Sequence, residues 1–280
     1  MMERTDRIKA VICDVDGTLL TSQGVVSPIT GAAIKNLRSQ GILFGIATGR
    51  DAKSVVDLLG EWGIEGQADI IIGSGGAEIR DLALGIQRSS FPLEGSLIWE
   101  IMDHYQDMDV TFVVPYEGVL YAPKEDERVK NLSRIDKIPY KIVDFGEFLK
   151  TPRPKVMIVC QPEYMDAVIE RSKTFRNDQY KCAALRTASI LFEYMDPRIS
   201  KTQGLAEAAK LHGFSMENIC TFGDADNDWD MTQNAGIGVA MANGSEKTKS
   251  AADYITDDND HDGIGNFINR FILKTGGEGQ

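Results

Sequence analysis

The chain has 280 residues, enough for one large domain or two ordinary ones, and its 42% hydrophobic and 26% charged content is globular. A net charge of −12 argues against a nucleic-acid or anionic-membrane surface, and an anionic substrate would need a local metal or basic group. Met1 to Lys9 is charged and lacks the apolar core of a signal peptide, and no apolar run reaches the length of a membrane span, so the cytoplasm is the expected location.

The first element is a strand over Ile8 to Cys13, whose apolar run Ala10 to Cys13 reads as buried. It opens into Asp14-Val15-Asp16-Gly17-Thr18. On a strand, residues i and i+2 share a side, so Asp14 and Asp16 can converge at its end. Two carboxylates at one site repel unless a cation or a proton separates them. That leaves a hard metal ion or an acid/base division of labour, and the plainer reading is an Asp-Gly turn. Ser27-Pro28 starts a helix with Ile29, Ala33, Ile34 and Leu37 on one face, stopping at Gly41. Ile42 to Ala47 is a second apolar strand, followed by Thr48-Gly49-Arg50. Asp51 caps a helix with Val55, Val56, Leu59 and Trp62 inward. Asp69 to Ile72 is a third strand and runs into Gly73-Ser74-Gly75-Gly76-Ala77. Apolar strands alternating with helices imply a parallel sheet covered on both faces.

The pattern then changes. Val110 to Val114 and Val119 to Ala122 flank Pro115 to Gly118 as a hairpin, Lys155 to Cys160 is a strand, and Glu163 to Arg176 a helix. Tyr180 to Thr187 and Ser189 to Tyr194 read as another hairpin. These belong to a separate α+β module over residues 83–194, inserted into a core of residues 1–82 and 195–280, with hinges at both junctions. The alternating pattern returns with a helix from Lys201 to His212, a strand from Asn218 to Phe222, and Gly223-Asp224-Ala225-Asp226-Asn227-Asp228. A helix from Asp226 to Asn234, a strand from Gly236 to Ala240, a helix from Ser245 to Ala251, a strand from Asp253 to Ile255 and a helix from Gly263 to Leu273 complete the core. Thr275 to Gln280 reads as a frayed tail. The fold class is α/β, a Rossmann-like doubly wound core with an inserted cap.

Ligands of open parallel sheets bind outside the carboxyl ends of the strands. Four such ends are polar here: Asp14 with Asp16, Thr48, the Gly73 to Ala77 turn, and Asp224 with its neighbours. Lys201 opens a helix of the same domain. Carboxylates for a metal, a hydroxyl and amides for an anion, and one ammonium together suit phosphoryl transfer. Each member alone has a plainer role: Thr48 as a helix cap, Lys201 as a solvated lysine, Asp226 and Asp230 as acids at a helix N-terminus. Their order along the chain favours the chemical reading. Phosphate-loop, dinucleotide-binding and nucleophile-elbow motifs are lacking. His104, His212 and His261 are isolated, and Cys13, Cys160, Cys182 and Cys220 lack ligand spacing and read as buried reduced thiols.

At these residues the chain resembles the haloacid dehalogenase (HAD) superfamily, and within it the Cof-type phosphatases with a C2-type α/β cap. Asp14-Val15-Asp16-Gly17-Thr18, Ala47-Thr48-Gly49-Arg50, Ile199-Ser200-Lys201 and Gly223-Asp224-x-x-Asn227-Asp228 match its four motifs in order. Gly238-Val239-Ala240-Met241-x-Asn243 and Ala252-Asp253-Tyr254-Ile255-Thr256 also resemble that subgroup. The resemblance implies Asp14 as the nucleophile and Asp16 as acid and base. It implies Mg²⁺ on Asp14, Asp224 and the Asp16 carbonyl, with Thr48, Gly49 and Lys201 on the phosphate. Asn227 would reach the phosphate region, and Thr18 and Asp228 would support the site. One departure is Gly75, where the subgroup usually carries Asn; a polar contact to substrate is lost there.

The expected activity is Mg²⁺-dependent hydrolysis of a small phosphorylated metabolite, with a sugar phosphate foremost, through an aspartyl-phosphate. Cap closure would exclude water. The alternatives are a phosphomutase or phosphotransferase on the same scaffold and a non-catalytic sugar-phosphate-binding regulator. No nucleic-acid or membrane partner is expected, and the chain is expected to be a monomer or homodimer.

Overall fold

Apolar runs of four or five residues become the central strands, because only a strand covered on both faces can bury every side chain. The computed structural model describes residues 5–177, 179 and 181–274. The sequence-predicted tail from Thr275 to Gln280 lies outside them, as does Tyr180. Strand β1 (Ala10–Cys13) is buried throughout, as are all but the first residue of β2 (Leu43–Ala47) and the whole of β3 (Ile70–Gly73). β4 (Glu78–Asp81) and β5 (Ile86–Ser89) follow. Next come β6 (Thr111–Tyr116), β7 (Val119–Ala122), β8 (Tyr140–Ile142), β9 (Val156–Val159), β10 (Ala183–Arg186) and β11 (Leu191–Met195). β12 (Ile219–Gly223), β13 (Ile237–Ala240) and β14 (Tyr254–Ile255) close the series.

The chain divides into two compact units, residues 1–88 with 200–280, and residues 89–199. The sequence reading drew these junctions at 82/83 and 194/195. The first unit holds an eight-stranded sheet in the order β14-β13-β12-β1-β2-β3-β4-β5. Its neighbours from β14 to β3 run parallel, with Ala10 opposite both Ile219 and Leu43. β4 turns back antiparallel on β3. β4 and β5 therefore extend this sheet to its edge at β5, and β5 falls within the stretch 83–194 that the sequence reading assigned to the inserted module.

Helices dock on this sheet as their sequences direct. Ser27 caps the Pro28–Ser39 helix by accepting from the Thr30 amide, a bond worth about 1 kcal/mol. The buried face is Thr30, Ala33, Ile34 and Leu37, whereas Ile29, expected inward, is exposed. Gly265 packs so closely against Thr30 and the Ile29 Cγ2 methyl that a Cβ there would lie within 3.0 Å of both. Asp51 caps the Ala52–Leu58 helix at the Ser54 amide. Val55 and Leu59 are buried as expected, Val56 is only half-buried, and Trp62 is buried in the turn beyond the helix.

The second unit holds a six-stranded sheet, β10-β11-β9-β6-β7-β8. Its pairs are antiparallel except β7 with β8. Both expected hairpins form. The expected Glu163 to Arg176 helix is shorter, Met165–Ser172 after a tight turn at Pro162–Tyr164. The sequence reading also lacked the helices Gly95–His104, Glu127–Asp136 and Phe145–Phe148. Leu97, Ile98, Ile101 and Tyr105 pack with Phe112, Val114, Val156, Ile158 and Tyr194 as this unit's core.

Among the described residues no helix is long and apolar enough to cross a membrane. All four cysteines are free, three of them buried and Cys182 partly so.

Candidate active site

β1 and β12 are neighbours, so their carboxyl ends deliver Asp14 and Asp224 to the same edge. Asp14 keeps extended backbone (φ −67°, ψ 170°), and its amide donates to the Phe222 carbonyl at 2.9 Å. The chain then turns at Gly17, with φ +80°. A Cβ on Gly17 would lie 2.6 Å from Asp224 Oδ2, so only glycine lets this loop rest against that carboxylate. Thr18 donates its hydroxyl to Asp224 Oδ1 at 2.6 Å, and Asn243 Nδ2 donates to the Gly17 carbonyl at 2.8 Å.

Asp228 joins the two strand ends to Lys201. Its Oδ2 accepts from the Asp224 and Ala225 amides at 2.9 and 3.0 Å. Its Oδ1 accepts from Lys201 Nζ at 2.5 Å, and Lys201 also donates to Asp14 Oδ1 at 2.6 Å. Asp228 is fully buried and Lys201 is 3% exposed.

Lys201 is the first residue of the Lys201–Leu211 helix, capped by Ser200 through the Gln203 amide. The turn after β3 sets the place of that helix. Gly76 has φ +117°, and a Cβ there would fall 2.0 Å from the Ser200 carbonyl oxygen. The same turn is tied to the loop after β2: the Ser74 amide donates to the Arg50 carbonyl (2.7 Å) and the Gly75 amide to the Thr48 carbonyl (2.9 Å). Thr48 is buried, and its hydroxyl oxygen accepts from the Arg50 amide at 3.2 Å. Three separate loops thus share one backbone frame. Gly75 sits at φ +69°, a region that Gly and Asn tolerate best. Glycine in place of the subgroup's usual Asn keeps the turn and removes only a side-chain amide.

The electrostatics of this frame are unbalanced. Asp14, Asp224 and Asp228 each put a carboxylate oxygen within 4.8 Å of the others, around a single ammonium. Burial pushes the Asp14 carboxyl up to about 7; Lys201 opposes this, and repulsion from Asp228 and Asp224 adds to it. Burial likewise lifts Asp224 to about 6, against the Thr18 hydrogen bond and with repulsion from Asp228. Burial also works against the charge of Lys201, but Asp14 and Asp228 outweigh it and raise its pKa. Hard oxygen donors crowded beyond what one ammonium neutralises fit a divalent cation such as Mg²⁺.

The structure brings Asp14, Thr18, Lys201, Asp224 and Asp228 into direct hydrogen-bond contact, with Thr48 in the adjoining loop. The Asp16 carboxylate does not join the three-carboxylate cluster. It is exposed and accepts both from Arg50 Nε (Oδ2, 2.9 Å) and from Arg50 Nη2 (Oδ1, 2.9 Å). Asn227 is exposed on the turn between Asp224 and Asp228, and Gly49 is half-buried beside Thr48. Sequence reasoning gave no separate part to Arg50, Asn243 or Gly76. The first two were read only as letters of larger motifs, and the Gly76 contact with Ser200 is not local in sequence.

A family model for haloacid dehalogenase-like hydrolases matches residues 11–268. The chain belongs to that family. As a HAD hydrolase of the Cof type it resembles a Bacillus subtilis 5-amino-6-(5-phospho-D-ribitylamino)uracil phosphatase, with 26% identity over 273 residues, 95% of this chain and 96% of the relative. Among solved structures, a haloacid dehalogenase-like hydrolase from Bacteroides thetaiotaomicron superposes with a TM-score of 0.84 at 26% identity, covering 94% of this chain and 99% of that one. Another Bacteroides thetaiotaomicron protein, described as a phosphatase of this superfamily, gives 0.77 at 26% identity, covering 94% and 95%. The HAD protein described here is a phosphatase.

Proposed function

We propose that this phosphatase is a Mg²⁺-dependent phosphomonoesterase acting on a small phosphorylated sugar or polyol. The observation that carries this reading is the cluster of three carboxylates at the ends of β1 and β12, with Asp14 and Asp228 buried on Lys201 and Asp224 half-buried beside them. The ribityl phosphate named for the Bacillus subtilis relative supports the substrate class.

Asp14 Oδ attacks phosphorus in line, the bond from phosphorus to the leaving oxygen breaks, and the Asp16 carboxyl gives that oxygen a proton. Water then attacks the phosphorus of the aspartyl-phosphate. Its proton passes to Asp16, and the bond between Asp14 and phosphorus breaks. The sum is phosphomonoester plus water giving alcohol plus phosphate. Lys201 and the Thr48 hydroxyl hold the transferring group. Asp228 fixes Lys201 through one oxygen and the Asp224 loop through the other. Mg²⁺, held by Asp14, Asp224 and the Asp16 carbonyl, would neutralise phosphate oxygens and keep Asp14 ionised.

The test is phosphate release from a panel of phosphorylated metabolites, with Mg²⁺ and with EDTA, alongside Asp14→Asn. Release that needs Mg²⁺ and is lost in the variant supports the reading. Phosphate transferred to a sugar hydroxyl, or no release from any compound, contradicts it.

A further inference from the structure

We propose that Arg50 is the positioning residue for Asp16, fixing the acid/base carboxyl to the loop that carries Thr48. The proposal rests on the phosphatase reading above, in which Asp16 protonates the leaving oxygen.

The first argument is divergence. Asp14 and Asp16 are two residues apart, yet Asp14 turns inward to Lys201 while Asp16 turns out to Arg50. A side chain left 60% exposed has no packing to set its orientation. In solution an exposed carboxylate samples several rotamers, and only some would present an oxygen to a leaving group. Here a planar guanidinium takes both oxygens at 2.9 Å, the forked geometry that a lysine cannot reproduce.

The second argument is where Arg50 is anchored. Its amide donates to Thr48 Oγ1 at 3.2 Å, and its carbonyl accepts from the Ser74 amide at 2.7 Å. Its main chain is therefore held by the frame that places Thr48 and, through the Ser74–Gly76 turn, Lys201. The Arg50 side chain is only 20% exposed, so the stem is fixed while the carboxylate it holds faces solvent. Asp16 is thus referenced to the groups that hold the phosphoryl oxygens as well as to its own loop.

The third argument is exchange. An ion pair this exposed on one side is weak and readily remade. When one Asp16 oxygen carries or delivers the proton, its bond to Arg50 gives way, and the second bond keeps the carboxyl tethered. A tether of that kind acts on proton delivery and not on phosphate binding, which separates it from a plain anion-binding arginine.

The experiment compares wild type, Arg50→Gln, Arg50→Lys, Asp16→Asn and the double variant Asp16→Asn/Arg50→Gln. Each is assayed as kcat/KM on p-nitrophenyl phosphate and on the alkyl phosphate that wild type hydrolyses fastest. An alkoxide leaving group needs the proton and a nitrophenolate does not, so alkyl turnover reports Asp16. Arg50→Gln is expected to lower alkyl-phosphate kcat/KM by about tenfold or more, within the usual reach of general-acid catalysis. The aryl substrate should change much less, Arg50→Lys should fall between, and the double variant should match Asp16→Asn alone. Equal losses on both substrates, losses that multiply with Asp16→Asn, or no loss would each overturn the proposal. Melting temperatures separate these results from misfolding, and an unfolded Arg50→Gln leaves Arg50→Lys to decide by the same ratio. Absence of phosphate release by wild type would instead overturn the phosphatase reading, and this proposal with it.

Discussion

Each unit of the protein buries a lysine against carboxylate, and the two arrangements differ in their charge count. In the second unit Lys155 Nζ donates to both oxygens of Glu193, at 3.0 and 2.9 Å, and Thr187 donates its hydroxyl to Glu193 Oε1 at 3.1 Å. Lys155 and Glu193 are 2% and 4% exposed and pair one cation with one anion. In the first unit Lys201 is as deeply buried, but three carboxylates converge on its surroundings. A buried pair is costly to break, yet complete in itself. A buried excess of one sign is incomplete, and it marks the place where a ligand of opposite charge belongs. The lesson is that burial of charge is common to the two sites, whereas its balance sets them apart.

The comparison breaks most sharply at Asp14. Asp14→Asn should lower phosphate release at least a thousandfold, as loss of a nucleophile does. Its metal-free fold should be no less stable than wild type, because burial and repulsion already disfavour that charge. Thermal melts in EDTA beside the activity assay check both halves. Glu193→Gln should do the opposite to the fold. It leaves the Lys155 ammonium buried without its counter-charge, a loss of about 3–5 kcal/mol read from urea midpoints.

A smaller effect belongs to the frame beneath the cluster. Gly76→Ala puts a Cβ where the Ser200 carbonyl oxygen stands and strains a backbone at φ +117°. The expected cost is about 1–3 kcal/mol, with lost activity as Lys201 is displaced. Denaturant melts and kcat together show it, and full activity in this variant would contradict the frame.

A further effect is the pH dependence of the excess charge itself. The folded Asp14 carboxyl titrates at about 7 and Asp224 at about 6, against an ordinary value of 3.8. Between pH 4 and 7 the folded chain therefore binds protons that the unfolded chain does not. Metal-free stability from these groups is greatest at the acid end and is lost as pH rises through 6 to 7. Mg²⁺ competes with those protons, so the rise in melting temperature on adding Mg²⁺ should be larger at pH 8 than at pH 5.5. Asp14→Asn should flatten the difference.

What the sequence showed and what it hid follow a physical line. Asp14, Thr48 and Asp224 stand at the ends of buried strands, and Lys201 at a capped helix start, so periodicity and turn residues point to them directly. The partnership of Arg50 with Asp16 joins residues 34 apart across two loops and has no periodic signal. The Gly76 contact with Ser200 is longer in range still. In the second unit the Gly95–His104 helix escaped notice because Glu94, its cap position, makes no side-chain capping bond. The Glu127–Asp136 helix buries only Val129 and Leu132, too few to mark a face. β5 is an edge strand with one half-buried residue followed by three exposed ones, so it lacks the alternation that betrays a strand.

Calorimetric titration of the metal-free protein with Mg²⁺ at pH 6.5, in buffers of different ionisation enthalpy, tests the central claim most directly. The account predicts one ion per chain, bound with release of protons from the Asp14 and Asp224 pair, and binding lost in Asp224→Asn. No binding, or binding without proton release that survives in Asp224→Asn, would contradict the claim that this buried carboxylate excess is a cation site.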